Sequence, residues 1–301
     1  MVKRVEKRSQ SKEKGQKNMH HKHGKWAEQI LSVRHEDGLW GNFHTLSCPV
    51  KGRPITTEQA IRRLHRLGYT IEDEVIQRVV ERMELCVSGR QKIDNYCEKT
   101  HDWELFEKLM LSAWIRIFDP QNACALEVAR GWAGVAEKAF AGGTYCREDD
   151  IAAFTEWQGR KPQSGFETGF GMFYHAVLLQ GVLTPKTERL FLDYYLAKPD
   201  GMYYIYDRPL NRVPEEFASR SASCYLAAME VLAGYDAANE KLGFVAEWLE
   251  DNKDENGQWD FGAKANDGVY FPLSDSWRKA EDRKRDCTER VNRFMTKIIN
   301  D

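Results

Sequence analysis

Apolar side chains recur every three or four positions along most of this chain, which is the spacing of an amphipathic α-helix. Residues 102–118 show it most clearly, because Trp103, Phe106 and Met110 fall on one face. Residues 166–179 are apolar nearly all round, which predicts a helix buried on several sides. No segment sustains the alternation of apolar and polar residues that marks a half-buried strand. The pattern therefore predicts an all-α protein.

Capping residues set the limits of the predicted helices. Thr56 with Gln59 three residues later is typical of a capping box, and Thr184 before Pro185 is typical of a helix start. The predicted helices span residues 26–33, 56–67, 70–89, 102–118, 122–140, 148–157, 166–179, 184–200, 214–234, 236–252 and 274–299.

A similar short turn stands near each end of the chain. Residues 37–40 read Asp-Gly-Leu-Trp, and residues 256–259 read Asn-Gly-Gln-Trp. Asn-Gly and Asp-Gly end a helix well, because Gly accepts the left-handed backbone conformation and Asn or Asp bonds its own backbone. The Trp that follows is large enough to pack across the ends of neighbouring helices, so we interpret Trp40 and Trp259 as structural.

The turn recurs along the chain at a nearly constant interval. When the chain is aligned on Gly38, Gly89, Gly143, Gly201 and Gly257, the separations are 51, 54, 58 and 56 residues. Two principal helices lie between each pair of glycines. Such a period is typical of a repeat built from helical hairpins.

Repeated helix pairs must stack on one another, since one pair cannot bury its own apolar face. The stack either stays open as a solenoid or closes on itself. The helix at Trp26 and the helix after Trp277 each lack a partner in their own repeat, so pairing them would close a ring. We therefore predict an α/α toroid of about five to six helical hairpins, as one domain over residues 26–301 after a flexible basic tail of residues 1–25.

Composition excludes several classes of protein. Of the 301 residues, 42% are hydrophobic and 12% aromatic, including nine Trp, which suffices for a large core. No run of about 18 apolar residues is present, so no membrane span is expected, and the basic start lacks the apolar segment of a secretory signal. Seven Cys without a C-x-x-C pair favour reduced thiols. We expect a cytoplasmic protein.

Charge is distributed unevenly along the chain. Residues 1–25 carry nine Lys or Arg against two Glu, so the remainder is acidic. An acidic body is a poor nucleic-acid binder, and no nucleic-acid partner is predicted. The basic start could contact RNA or an anionic surface, but a charge run beside Gly, Ser and Gln is more typical of a solvated tail.

The repeated turns resemble the QW motifs of the terpenoid cyclase and protein prenyltransferase superfamily, in which an acidic-Gly-x-Trp core separates a helix from the next hairpin. Residues 37–40 and 256–259 match that core, and Asp-Gly-Met-Tyr at 200–203 matches it more weakly. The Gln expected three residues before the acidic position is replaced, by Arg34 and Lys253 in the two clearest copies. The resemblance covers most of the chain after the tail and implies an α/α toroid with a central cavity.

The catalytic signatures of that superfamily are absent from the sequence. Residues 147–150 come nearest to the Asp-x-Asp-Asp of the protonating cyclases, but they begin a predicted helix, where acidic residues favour the helix dipole. Asp286 and Cys287 with His44 or His175 lack the spacing of the zinc prenyltransferases, and no Asp-Asp-x-x-Asp is present. We predict no metal and no cofactor, and leave open whether the protein is an enzyme.

The candidate site lies just after the repeated glycines, because in such toroids the chain leaving each turn delivers residues to one mouth of the cavity. Aromatic side chains with a few charges suit a small-molecule pocket. The catalytic candidates, as acid or base groups, are His44, Asp207 and Asp275. The candidate ligand-binding residues are Phe43, Tyr203, Tyr204, Tyr206, Arg208, Tyr270, Trp277 and Arg278.

Three functions stay open at this point. The first is an enzyme or binder of a hydrophobic, isoprenoid-like small molecule in an aromatic-lined pocket. The second is a carbohydrate-active toroid, a hydrolase or lyase, which would place paired carboxylates across an open acidic cavity. The third is a non-catalytic helical scaffold whose cavity is filled by side chains. The partner is a small molecule of undetermined class in the first two, and the oligomeric state is left open.

Overall fold

A computed structural model describes residues 21–45, 54–93 and 102–299 of the chain. Those residues form twelve α-helices and one short 3-10 helix, and they contain no β-strand. Two isolated β-bridges, Met172 with Tyr203 and Met202 with Tyr206, are the only extended pairings in the described part. The predicted all-α class is confirmed.

The helices follow one another in chain order. They are α1 (Lys25–Ser32), α2 (Thr57–Arg66), α3 (Glu74–Val87), α4 (Trp103–Phe118), α5 (Ala123–Ala139), α6 (Arg147–Gln158), α7 (Phe173–Leu178), α8 (Pro185–Ala197), α9 (Arg220–Leu232), α10 (Ala238–Lys241), α11 (Gly243–Asp251), the 3-10 helix (Ala263–Ala265) and α12 (Ala280–Ile299).

The predicted helix starts are confirmed where capping residues marked them. Thr56 caps α2 in a complete capping box, since its hydroxyl accepts from the Gln59 amide and the Gln59 side chain accepts from the Thr56 amide. Thr184 caps α8, and Pro185 occupies its first turn. Local sequence therefore fixes these two boundaries.

The predicted helix over residues 166–179 is wrong in its first half. Only α7 is helical there, and all six of its residues are buried. Gly169 and Phe170 have positive φ angles of 79° and 45°, which an α-helix cannot contain. The Tyr194 hydroxyl donates to the Gly169 carbonyl at 2.6 Å, and the Tyr195 hydroxyl donates to the Met172 carbonyl at 2.9 Å. These tyrosines of α8 satisfy backbone groups that a helix would have satisfied internally.

Two further predicted helices are shorter than expected, and one is divided. The helix predicted over 214–234 begins at Arg220, where Ser219 supplies the N-cap. The helix predicted over 236–252 is split into α10 and α11 at Leu242. The helix predicted over 274–299 begins at Ala280. Its first residues are held elsewhere, because the Asp286 carboxylate accepts from the amide and hydroxyl of Ser274.

The helices pack mainly on neighbours along the chain. Helix α3 packs on α4, α4 on α5, and α5 on α6, while α4 also packs on α7, and α7 packs on α9. The last helix, α12, packs on α10 and α11, while α1 packs on α2. The buried apolar residues form one connected core.

The first and last described segments contact each other. The Trp26 indole N–H donates to the Ser274 carbonyl at 2.9 Å, and the Lys25 amide donates to the Asp275 carboxylate at 2.8 Å. His21 lies 3.0 Å from Glu289 of α12. These contacts include residues 21–25 of the predicted tail. Residues 1–20 of that tail lie outside the described residues, as do residues 46–53.

All five glycines of the predicted period adopt the left-handed conformation. Their φ angles lie between 62° and 92° at Gly38, Gly89, Gly143, Gly201 and Gly257. A residue with a side chain adopts such angles only with strain. The repeated glycines therefore mark real turns between helices.

The two tryptophan turns are equivalent in detail. The Trp40 indole N–H donates to the Ile30 carbonyl at 2.7 Å, and the Trp259 indole N–H donates to the Leu249 carbonyl at 2.6 Å. Both indoles are buried. Each backbone N–H of these tryptophans also donates to a threonine hydroxyl, at 3.2 and 3.1 Å. The two ends of the chain thus share one local structure.

No helix in the described part of the chain is long and apolar enough to cross a membrane.

The first prediction concerns Trp40. Trp40→Phe is expected to lower the free energy of unfolding by about 2–4 kcal/mol, because it leaves a cavity and an unpaired Ile30 carbonyl. Chemical denaturation measures the change. Trp157→Phe is the matched control, since Trp157 is 36% exposed, and it is expected to cost less than half as much. Equal losses in the two variants would contradict the structural role of the turn.

Candidate functional site

A strongly charged cavity is lined by residues of five helices. Its volume is about 430 Å³, and α2, α4, α7, α9 and α12 all contribute to its wall. Within the described lining, six side chains are cationic and one, Glu230, is a carboxylate. We call it the arginine pocket and define it by Arg62, Arg66, Arg116, Arg290, Arg293, Lys297, Glu230, His65, Trp114, Phe173, Tyr270 and Phe294.

Helix α2 presents a polar face to this pocket and an apolar face to the core. Arg62, His65 and Arg66 line the pocket, at the spacing of three and four residues that places side chains on one side of a helix. Ile61 and Leu64 are fully buried. The amphipathic sequence of α2 therefore directs three basic side chains toward the cavity.

Glu230 of α9 is shared by two arginines from two other helices. Its carboxylate accepts from Arg290 Nε of α12 at 2.8 Å and from Arg66 Nη1 of α2 at 2.5 Å. Burial alone would raise the pKa of Glu230, but Arg290 and Arg66 outweigh burial and lower that pKa from 4.5 to about 2. Glu230 is therefore ionised at neutral pH, and it offsets only part of the local positive charge.

Tyr270 stands between the same two arginines. The Arg66 guanidinium carbon lies 5.0 Å from the centre of the Tyr270 ring, and that of Arg290 lies 4.9 Å from it. Such contacts favour a cation over the negative face of an aromatic ring. Burial raises the pKa of Tyr270, although the nearby arginines oppose the shift. The phenol is therefore neutral at physiological pH and available as a hydrogen-bond donor.

The buried carboxylate of Glu58 ties α2 to two other helices. It accepts from the Tyr174 hydroxyl at 2.7 Å, the Trp114 indole at 2.9 Å and Arg62 Nη2 at 3.1 Å. The Thr45 amide and hydroxyl donate to its second oxygen at 2.7 and 2.6 Å. Burial would raise the pKa of Glu58, but Arg62 and these hydrogen bonds outweigh it and lower the pKa. Five donors thus hold an ionised carboxylate in the interior.

Arg62 links that carboxylate to the pocket wall. Its guanidinium carbon lies 5.5 Å from the Trp114 ring centre and 5.2 Å from that of Phe173. Its side chain is 13% exposed, so the group is enclosed yet still reached from the cavity. The planar guanidinium has five N–H donors, and Glu58 uses one of them, at Nη2.

Arg116 has a structural role as well as a charge. Its guanidinium donates to the carbonyls of Leu178, Gln180 and Pro120, with the bond to Gln180 at 2.6 Å. Carbonyls at the ends of helices lack intrahelical donors and carry negative partial charge. Arg116 therefore closes the end of α7 while it adds positive charge to the pocket.

His65 lies in the pocket wall, where the residue is exposed within the cavity. Its ring packs edge-on against Phe118 of α4, with the ring centres 5.5 Å apart. Enclosure by the walls, together with the charges of Arg66, Lys297 and Arg293, lowers the pKa of His65 to about 3. The empty pocket therefore holds a neutral histidine beside several cations.

Of the residues predicted for ligand binding, Tyr270 is the one found in the described lining of the arginine pocket. Phe43, Tyr206 and Trp277 are buried. Tyr206 packs against Tyr225 with ring centres 5.4 Å apart, and the Trp277 indole N–H donates to Asp286 at 2.7 Å. Core packing explains these three side chains.

His44, Tyr203 and Tyr204 form an aromatic group of their own. The His44 ring centre lies 5.4 Å from that of Tyr204 and 5.4 Å from that of Phe106, and only 6% of His44 is exposed. Tyr203 is 54% exposed, and its ring centre lies 4.1 Å from the ring centre of Tyr204. The group adjoins the Glu58 carboxylate through Tyr174, whose ring centre is 5.6 Å from that of Tyr204.

The other predicted residues lie on the surface. Asp207, Arg208 and Arg278 are exposed. Asp275 is also exposed, and it accepts the hydrogen bond from the first amide of α1. His44 is thus in the interior, whereas Asp207 and Asp275, its two predicted partners in catalysis, are at the surface. Their assignment as catalytic residues stays a prediction.

The sequence interpretation missed most of the pocket. Arg62, Arg66, Glu230 and Arg290 carry its charge, yet none was a candidate. The one sequence feature that pointed to the pocket was the strongly amphipathic pattern of α2. Its polar side has the pattern of an ordinary solvent-exposed helix face, so the pattern alone did not indicate a cavity. Within the described chain, no three His, Cys, Asp or Glu side chains are grouped to hold a metal ion.

Comparison with known proteins identifies no relative. No known family, no curated protein and no solved structure matches the chain. The resemblance to the terpenoid cyclase superfamily therefore stays a prediction based on the repeated turns.

The second prediction concerns Glu230. Its lowered pKa contributes stability that is present above pH 4.5, the unfolded value, and is lost as pH falls through the folded value of about 2. Glu230→Gln is expected to lower the free energy of unfolding by about 3 kcal/mol at neutral pH, and the difference from the wild type should shrink as pH falls toward 2.

Urea unfolding measured at several pH values tests this dependence. The matched control is Glu250→Gln, because Glu250 forms a surface pair with Lys253 and its side chain is 49% exposed. That variant is expected to differ little from the wild type. A loss of stability in Glu230→Gln that is constant across the acid range would contradict the proposed electrostatic origin.

Proposed function

We propose that the arginine pocket binds a small organic anion that also carries an apolar part, and that an isoprenoid diphosphate is the ligand class it suits best. The observation that carries the proposal is the set of six cationic side chains around a cavity of about 430 Å³ with one carboxylate in the described lining. This cavity has the volume of an ordinary small-molecule site.

Enclosed positive charge favours an anionic ligand for a physical reason. Water solvates a charge poorly inside a narrow cavity with apolar walls, so cations there interact strongly with a counter-charge. Glu230, Glu58 and Glu289 satisfy part of this demand, because Glu230 pairs with Arg66 and Arg290, Glu58 pairs with Arg62, and Glu289 pairs with Arg293. Arginine is also well suited to phosphate or carboxylate, since its fork of N–H groups matches two oxygens.

The rest of the wall supports the apolar part of the ligand. Trp114, Phe173, Tyr270 and Phe294 line the same cavity as the arginines. A hydrocarbon chain or ring packed on these side chains would gain from the removal of apolar surface from water. A neutral sugar would leave the cations without a counter-charge. A cavity of this size also argues against the third alternative, a non-catalytic helical scaffold whose central cavity is filled by side chains.

The cavity does not have the chemistry of the carbohydrate hydrolase alternative. Such an enzyme needs two carboxylates facing each other across the site. In the described lining, Glu230 is the one carboxylate, and its two arginine partners keep it ionised. The proposal is therefore one of anion binding, with no reaction assigned to it.

We also propose that the helices form a closed ring around this pocket, as an α/α toroid. The C-terminal halves of α2, α4, α9 and α12 contribute to one cavity together with Phe173 and Val177 of α7, and helices gathered in this way around one cavity are expected in a toroid. The contacts of Trp26 with Ser274 and of His21 with Glu289 support closure between the first and last segments. The equivalent turns at Trp40 and Trp259 support a repeated unit.

The third prediction tests anion binding by isothermal titration calorimetry. An isoprenoid diphosphate is expected to bind the wild type more tightly than inorganic pyrophosphate, while a neutral oligosaccharide is expected not to bind. Arg66→Gln should weaken diphosphate binding by about tenfold to a hundredfold, since a hydrogen bond between charged groups contributes about 1.5–3 kcal/mol.

Two further variants make the result interpretable. Lys297→Gln removes an exposed cation of the pocket, so it should keep the fold and still weaken binding severalfold. Arg78→Gln removes an arginine that pairs with Glu74 on the surface of α3, and it should bind as the wild type does. Unchanged affinity in both pocket variants, or stronger binding of the neutral sugar, would overturn the proposal.

A further inference from the structure

His65 differs from the other polar residues of the described pocket lining, because it is the only imidazole among them and a bound anion can raise the pKa of an imidazole toward the neutral range. It lies on α2 between Arg62 and Arg66, in the pocket wall. The edge contact with Phe118 fixes one side of the ring.

Positive charge surrounds this histidine on several elements. The neighbouring cations on its own helix are Arg62 and Arg66, and Glu230 on α9 is the neighbouring carboxylate. The remaining charged or titratable groups of the described lining are Arg116 on α4, Arg290, Arg293 and Lys297 on α12, and Tyr69 and Tyr270 in the loops. Helix α7 contributes only the uncharged Phe173 and Val177. Across the described lining six cations face one carboxylate, and that carboxylate, Glu230, lies on α9, which contributes no cation.

We propose that His65 gives the arginine pocket a preference for doubly charged over singly charged anions, because a bound dianion draws a proton onto the imidazole and gains a charged hydrogen bond from it. This inference rests on the proposed anion-binding function, and it identifies the residue that senses ligand charge.

The physical basis is the balance of charge around one proton. In the empty pocket, enclosure and the charges of Arg66, Lys297 and Arg293 oppose protonation, which is why the pKa of His65 is lowered to about 3. An anion within a few ångströms acts in the opposite direction, and one opposite charge shifts a pKa by about 1–3 units. A second negative charge on the same ligand increases the shift. A monoanion is largely neutralised by the arginines, so it leaves the histidine neutral.

Linkage then fixes the sign of the pH dependence. Because the pKa of His65 is higher in the complex than in the empty pocket, binding takes up a proton. Affinity for a dianion therefore rises as pH falls through the pKa of the complex, by up to about tenfold per pH unit. Affinity for a monoanion changes little over the same range.

Aromatic sulfonates are suitable probes, because they stay fully ionised between about pH 5 and 8, where only the protein titrates. Naphthalene disulfonate supplies the dianion, and naphthalene sulfonate supplies the monoanion. Calorimetric titrations in two buffers of different ionisation enthalpy give the number of protons taken up on binding. The NMR signals of the His65 ring report directly which group receives the proton.

In the wild type we expect the disulfonate to bind with proton uptake and to gain at least about tenfold over the sulfonate between about pH 8 and 5. His65→Gln should still bind both probes, with no uptake and with the pH-dependent gain lost. His23→Gln, which removes an exposed histidine that is not among the described pocket lining, should behave as the wild type.

Three outcomes would contradict the inference. Binding of the disulfonate without proton uptake would overturn the role of His65 and leave the anion-binding proposal standing. Equal uptake in His65→Gln would assign the proton to another group. Failure of both sulfonates to bind at any pH would overturn the anion-binding proposal itself, and the role of His65 with it.

Discussion

Positive charge enclosed by helices and only partly balanced is the constraint on which the organisation of this protein depends. Arg66 of α2 and Arg290 of α12 share the single carboxylate of Glu230 on α9, so three distant parts of the chain meet at one ion pair network. Removal of either partner from such a buried network is costly, because it leaves an uncompensated charge. The network therefore fixes the relative positions of three helices, and it leaves a surplus of positive charge that a ligand can neutralise.

A second polar centre adjoins the pocket wall, because Arg62 and Trp114 of the wall donate to the buried Glu58 carboxylate. Glu58 receives donors from the chain at Thr45, from Trp114 of α4 and from Tyr174 at the start of α7. Its carboxylate is fully buried and holds Arg62 in the pocket wall, so its role is positional. The two centres together show how a helical protein keeps a polar cavity open. Ionised side chains are cross-linked by hydrogen bonds, and aromatic rings fill the space between them.

The sequence predicts the framework far better than the site. Spacing and capping place most helices, and the five glycines mark turns, because these features depend on local backbone chemistry. The helix prediction for the first half of residues 166–179 is wrong, because tyrosines of α8, distant in sequence, donate to its backbone carbonyls. The pocket could not be predicted from the sequence for a related reason. A helix face with Arg62, His65 and Arg66 has the same sequence pattern whether it faces water or a cavity. Only the assembled fold distinguishes the two cases. Tyr270 was found because an aromatic residue in a loop is conspicuous without knowledge of its neighbours.

The most direct test of this account is a crystal structure of the protein with selenate, whose selenium atom identifies the anion by its anomalous scattering. An anomalous peak is expected in the arginine pocket, within hydrogen-bonding distance of the Arg66 guanidinium and Lys297 ammonium groups, enclosed by a ring of helices whose first and last members touch. A pocket without such a peak, in crystals where selenate binds elsewhere on the protein, would contradict the account.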